Sequence, residues 1–126
     1  MKTSSCKAKG RRLQQEVRDA LLHIGVAFGL VEGDIESRGM GQSGVDLVLS
    51  PAAQKVFSYD IECKNVERLN VVGVFQAHSS KYADSGHVPL LIHSRNFTEP
   101  MVTMRFMDFL KMLPAVLLYE RHQKES

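Results

Sequence analysis

Apolar residues recur along this chain in two rhythms. Leu13, Val17, Ala20, Leu21 and Ile24 fall every three or four positions, the spacing of one helix face, and predict a helix over 10–23. At roughly 100° per residue, Glu16 sits at the edge of that stripe, while Arg12, Gln15 and Asp19 lie toward water. Between 45 and 64 the rhythm shortens to two. Val45, Leu47 and Leu49 alternate with Asp46 and Val48, and Phe57, Tyr59, Ile61 and Cys63 alternate with Ser58, Asp60, Glu62 and Lys64. Such alternation predicts strands over 45–49 and 56–64. A turn beginning at Ser50-Pro51 and centred near Gln54 would join them as a hairpin.

The other elements follow from punctuation. A short strand is expected over 26–31, with Gly25 and Gly29 marking turns, and the glycine-rich SRGMGQSG (37–44) is a loop. Asn70 is placed to cap a helix reaching about residue 83, with Gly86 just beyond it. Strands follow over 88–93 and 101–106, separated by a turn at Arg95-Asn96. Asp108 begins a last helix, broken or restarted at Pro114. The order α, β, β, β, α, β, β, α predicts an α/β sandwich, a mixed sheet flanked by helices. At 126 residues the chain supports one domain, 9–126, preceded by a flexible basic arm over 1–8.

Composition narrows the function classes. Hydrophobic residues make up 44% and mean hydropathy is -0.15, ordinary for a globular domain. No apolar run approaches the ~20 residues of a membrane span, and the basic start lacks the apolar core of a secretory signal. Two cysteines in dissimilar contexts have no metal-type spacing, so a reduced, cytoplasmic setting is the expectation. Net charge is only +2, but Lys2, Lys7, Lys9, Arg11 and Arg12 all precede the first acid. A basic arm of that kind suits a polyanion such as nucleic acid; a solvated terminus is the plainer reading.

Three charges on the expected hairpin carry the candidate chemistry. Glu62 and Lys64 share a strand face, about 7 Å apart along the backbone. A turn near Gln54 sets Asp46 opposite Glu62, with Cβ atoms about 5 Å apart. Two carboxylates so close repel unless a cation lies between them, and hard oxygen donors suit Mg²⁺. Lys64 would add a positive charge beside the reacting phosphate, orienting or helping to deprotonate water. The plain alternative is a surface Glu62–Lys64 pair with a solvated Asp46.

Four segments in order resemble a known family: KGRRLQQEV with Glu16, SRGMGQSGVDLVLS with Asp46, IECKN with Glu62 and Lys64, and FQAHSSKYADSGHVPLLIHSRN after them. This is similar to the PD-(D/E)XK nucleases, and more narrowly to archaeal-type and phage-encoded Holliday junction resolvases. The resemblance spans about residues 7 to 110. It implies a restriction-endonuclease-like mixed β-sheet flanked by α-helices, and Mg²⁺-dependent (or Mn²⁺-dependent) nicking of four-way DNA junctions by a homodimer, in a host cytoplasm if the gene is a phage's. It implies that Asp46, Glu62 and the main-chain carbonyl of Cys63 hold the metal, joined by Glu16, with Lys64 as catalytic lysine. Lys9, Arg11, Arg12, Arg38, Ser43, Gln76 and Arg95 are the implied DNA contacts. Val45 stands where the family name has Pro.

Other candidates are weaker. The five histidines are scattered without zinc spacing. His93 and Arg95 end a strand that could border the site. Cys63 faces the apolar side of its strand and reads as a core thiol, and Asp60 as solvated or salt-bridged. GMGQSG precedes a strand and lacks Gly-Lys-Ser/Thr, so it is no P-loop. The apolar stretch 101–119 exceeds what an outer helix needs; core packing accounts for much of it, and a subunit interface is the expectation for the rest. A broader nuclease or nickase, a non-catalytic DNA-binding protein of the same fold, and a structural assembly protein are the competing functions.

Overall fold

The computed structural model describes residues 2–39 and 44–125, with side chains from residue 7 onward. Its first element, α1 (Lys2–Gly25), is longer than the sequence pattern predicts. From Lys2 on, the segment read as a flexible arm forms the helix's first turns; no proline or glycine interrupts it before Gly10, and the helix runs on into the strong helix formers of 11–16. Leu13 and Val17 are buried as expected, but so is Gln14, whereas Ala20 and Ile24 are exposed. The buried face is therefore rotated toward Gln14 and Arg18. Both serve β1 (Ile35–Ser37): Ser37 Oγ donates to Gln14 Oε1 at 2.6 Å, and Arg18 Nε donates to the Ile35 carbonyl at 2.8 Å.

No strand forms over 26–31. The chain makes a 3-10 turn at Val26–Phe28, closed by Gly29 in the left-handed region at φ 87°, and a second turn at Glu32–Asp34. β1 then pairs antiparallel with β2 (Leu47–Leu49), Ile35 opposite Leu49 and Ser37 opposite Leu47. The expected hairpin between residues 45 and 64 is corrected accordingly: β2 takes its ladder partner from before it. The predicted turn is a short helix, α2 (Pro51–Val56). The local cause is legible, since Ser50 Oγ accepts from the Ala53 N–H at 3.1 Å as an N-cap and Pro51 occupies the first helical position. Asp34 ties this corner by accepting from Ser50 Oγ at 2.7 Å and from the Val31 N–H at 2.7 Å; those bonds hold its carboxyl below the usual range.

The second sheet has the order β3 (Tyr59–Asn65), β4 (Val88–Ser94), β5 (Met101–Thr103). β3 and β4 run parallel, Tyr59 opposite Val88 through Asn65 opposite Ser94, and β5 returns antiparallel. The parallel pair needs a crossover, which α3 (Val71–Lys81) supplies; Asn70 caps it by accepting from the Gly73 N–H at 3.1 Å. The architecture is thus mixed α/β with a two-stranded and a three-stranded sheet. Leu13 and Val17 of α1 pack on Leu47, Ile61, Cys63 and Ile92, which sit on one face of the strands. A second cluster of Leu30, Ile35, Ala53 and Phe57 fills the corner below it. The last helix, α4 (Phe106–Glu125), runs through Pro114 without a break and buries none of its side chains. No described helix is long and apolar enough to cross a membrane.

Candidate active site

The alternation read from the sequence holds along β3. Ile61 and Cys63 enter the α1-facing core, so Glu62 and Lys64 emerge on the α3 side. Lys64 Nζ stands 3.7 Å from Glu62 Oε2, with the lysine 42% and the glutamate 22% exposed. This is a loose pair at a wet edge, weak enough for the ammonium to turn to another anion.

Asp46 reaches β3 just ahead of β2. Its N–H donates to the Ile61 carbonyl at 3.1 Å, and its Oδ2 accepts from the Cys63 N–H at 2.7 Å. These two bonds clamp Asp46 on the residues either side of Glu62. The carboxyls of Asp46 and Glu62 are near enough to feel each other. Burial first, then the Asp46 charge, push the Glu62 carboxyl up; Lys64, His78 and Lys81 pull it partly back. The same surroundings push the Cys63 thiol far up, by burial first and then by Asp46 and Glu62, so it is a neutral core thiol and no nucleophile. In a strand the N–H and C=O of one residue point to the same side. The Cys63 carbonyl therefore faces the Asp46 edge.

The donor set at this edge is two carboxylates and a main-chain carbonyl, all hard oxygens, which fits Mg²⁺ with water completing its shell. Glu16 does not complete it. It is exposed on α1, and among the described residues it has no side-chain partner and no three His, Cys, Asp or Glu side chains converge to hold a metal. The expectation that the α1 acid joins Asp46 and Glu62 is not met, because the face of α1 turned to the strands is the one carrying Leu13, Gln14 and Val17.

Glu62 and Lys64 open into a hollow of about 280 Å³, completed by Val74, Ala77, His78, Lys81 and Tyr82. The α3 residues there are not those expected: Gln76 is exposed and outside the hollow, while Lys81 one turn later lines it. His78 is buried and its Nε2 donates to the Asp60 carbonyl at 2.8 Å. Asp60 is not solvated. It is buried, accepts from Ser85 Oγ and stands 3.2 Å from His87 Nδ1, pinning the turn that leads into β4. Sequence reasoning passed over Lys81 and His78; their offset of three on α3, in line with Val74, was the available signal.

Of the expected DNA contacts, Arg11, Arg12 and Arg38 are brought together. With Ala8, Gln15, Ser37 and Gly39 they line a groove of about 530 Å³ between α1 and the end of β1. Lys9 is half-buried and lies outside that groove. Arg38 also closes the base of the loop: its Nε donates to the Val45 carbonyl at 2.7 Å and its N–H to the Asp46 carbonyl at 2.7 Å. Gly44 makes this possible. It lies at φ 112°, and a Cβ there would come within 2.7 Å of the guanidinium. Ser43 lies outside the described residues. Arg95 is exposed on the far side of β4, lining a separate hollow with His93 and Met101; the His93 ring itself is buried, with Nε2 2.8 Å from Thr103 Oγ1.

No protein-family model, curated protein or solved structure matches the chain.

Proposed function

We propose that this protein is a divalent-metal-dependent DNA endonuclease that nicks branched DNA, of the Holliday junction resolvase kind. One observation carries the reading: Asp46 is clamped beside Glu62, whose carboxyl is raised by burial and then by the Asp46 charge, with the Lys64 ammonium 3.7 Å from the same glutamate. Two carboxylates held together at a partly exposed strand edge repel each other, and a cation between them removes the repulsion. Mg²⁺ or Mn²⁺ would be held by Asp46, Glu62 and the Cys63 carbonyl. When bound it supplies Lewis acidity toward a phosphodiester and lowers the pKa of a coordinated water.

The chain's own residues do the rest. Lys64 leaves its loose contact with Glu62 to offset charge on the phosphate and to orient the attacking water. Arg11 and Arg12 take backbone phosphates in the α1 groove. Arg38, bonded to the Asp46 carbonyl, ties that groove to the acid pair. Water adds in line at phosphorus and the 3′ oxygen leaves, giving a 5′-phosphate and a 3′-hydroxyl.

The test uses a synthetic four-way junction, a linear duplex and single strands, each with Mg²⁺ or with EDTA. Symmetric nicks in the junction alone, lost in EDTA and in Glu62→Gln and Lys64→Ala, are the expected result. Cutting of every duplex would make the protein a general nuclease. Tight binding without cutting, the same in both variants, would make it a DNA-binding module and end the catalytic reading.

A further inference from the structure

The hairpin joining β4 to β5 presents one aromatic ring to solvent. Phe97 is fully exposed, and its backbone lies in the left-handed region at φ 64°, where no other non-glycine among the described residues is found. A bulky residue is disfavoured in that region, and a turn needing it ordinarily takes Gly or Asn. Asn96, the better suited residue, stands one position earlier. The turn is also firmly bonded. Thr98 Oγ1 accepts from the Arg95 N–H at 3.1 Å and donates to the Arg95 carbonyl at 2.9 Å, and Ser94 Oγ donates to the Thr98 carbonyl at 3.0 Å. The Asn96 N–H points to Glu67 Oε2 at 3.4 Å, which ties the tip to the loop after β3. A lone exposed hydrophobe is ordinary on a protein surface; one held outward on a strained backbone by a bonded turn is not.

We propose that Phe97 is the residue by which this protein tells branched DNA from linear duplex, its ring stacking on a base at the branch point. The inference rests on the endonuclease reading and adds a specificity contact to it. The tip lies at the end of the sheet where β3 presents Lys64: the two strands run parallel, with Lys64 opposite His93 and Asn65 opposite Ser94. From Lys64 through Asn65 and Ser94 to Phe97 the path is one strand spacing and four residue steps. That is at most ~20 Å, about six base steps along a DNA strand. Arg95, two residues before the ring, and Arg68, beside the Glu67 that ties the tip, are both exposed and within reach of flanking phosphates. Glu67 and Glu99 offset those charges, so attraction to phosphate alone does not account for the tip; the ring face has to carry the contact. Every base offers a π-face, but inside an unbroken duplex both faces are covered and a step must be unstacked before a ring can enter. Where strands exchange between helices the stack is interrupted, and entry costs less. The selectivity for branched DNA follows from that difference.

Binding of the full chain to a four-way junction and to a linear duplex of the same sequence, in EDTA so that no bond is cut, tests this. Phe97→Ala should weaken junction binding roughly 5- to 150-fold, the loss of one base–aromatic stack, and duplex binding less than about 2-fold; Phe97→Trp should keep both. A 2-aminopurine placed beside the crossover should brighten when wild type binds and stay dim with Phe97→Ala. Phe97→Gly, which suits φ 64°, should unfold in urea at or above the wild-type midpoint. A Phe97→Ala protein that holds the junction as wild type does, or loses junction and duplex equally, overturns the proposal. So does a lowered Phe97→Gly midpoint, which would give the ring to the fold. Flotation with phosphatidylserine vesicles that Phe97→Ala abolishes overturns it in favour of a membrane surface. A protein that cuts junctions in Mg²⁺ whatever stands at position 97 loses this inference alone; one that binds neither DNA loses the endonuclease reading with it.

Discussion

Replacing Asp46 by Asn or by Ala separates what this acid does for the fold from what it does for chemistry. Its Oδ2 accepts from the Cys63 N–H at 2.7 Å, and Cys63 is only 6% exposed. Asp46→Ala removes the acceptor and leaves that N–H without a partner, a loss of ~1–3 kcal/mol. Asp46→Asn keeps an oxygen in place. It gives up the charge-assisted part of the bond, ~1 kcal/mol, but also lifts the repulsion that raises Glu62, so its net effect is small. Urea unfolding should therefore place Asp46→Ala ~1–3 kcal/mol below wild type with an unchanged m value, and Asp46→Asn within ~1 kcal/mol of it. Both should be inactive on the junction. An Asp46→Ala protein as stable as wild type would refute the clamp, and an Asp46→Asn protein that still cuts would refute the acid's place in the chemistry.

Other outcomes rest on the same geometry. The Glu62 carboxyl is raised, so ionising it works against folding. That penalty is absent below the ordinary carboxylate range and complete once pH exceeds the raised folded value. Glu62→Gln should thus lose less stability than wild type between acid and neutral pH, measured as urea midpoints across that range; a parallel pH dependence would contradict it. Arg18→Ala removes the two side-chain bonds from α1 to the Ile35 and Glu32 carbonyls, and should cost ~2–4 kcal/mol in the same assay. Arg11→Ala with Arg12→Ala should weaken DNA binding and flatten its salt dependence by ~1–2 in the logarithmic slope, with stability unchanged. Gly44→Ala forces a side chain onto φ 112° and against Arg38, and should lower stability by ~1–3 kcal/mol and DNA affinity with it.

The parts of this fold legible in the sequence are those where one local rule acts alone. The alternation over 57–64 correctly divides Ile61 and Cys63 from Glu62 and Lys64, because a strand admits only two faces. Asn70 as a cap and the strand at 88–94 are equally plain. The partner of a strand is not local. Val45 to Leu49 reads as half of a hairpin with residues 56–64, yet β2 pairs with the three-residue β1, too short to leave a pattern. Ser50-Pro51 opens both turns and helices, and Ala52, Ala53 and Gln54 favour the helix. On α1 apolar spacing places the stripe over Ala20 and Ile24; two polar residues that bond to β1, Gln14 and Arg18, turn it away and leave Glu16 outside the site. The acid pair is foreseeable from Asp46 and Glu62 alone, but through the wrong hairpin: short bonds to Ile61 and Cys63 bring Asp46 in without a ladder.

The parallel pairing of β3 with β4 also sets the order in which this molecule can assemble. Tyr59 meets Val88 only after the 28 residues between them (60–87) have closed into a loop through α3. Until then the strand bearing Glu62 and Lys64 has no sheet neighbour on that edge, and the apolar VPLLI of the later strand stands open to other chains. Non-local closure of this kind is slow, and refolding yield should fall as concentration rises.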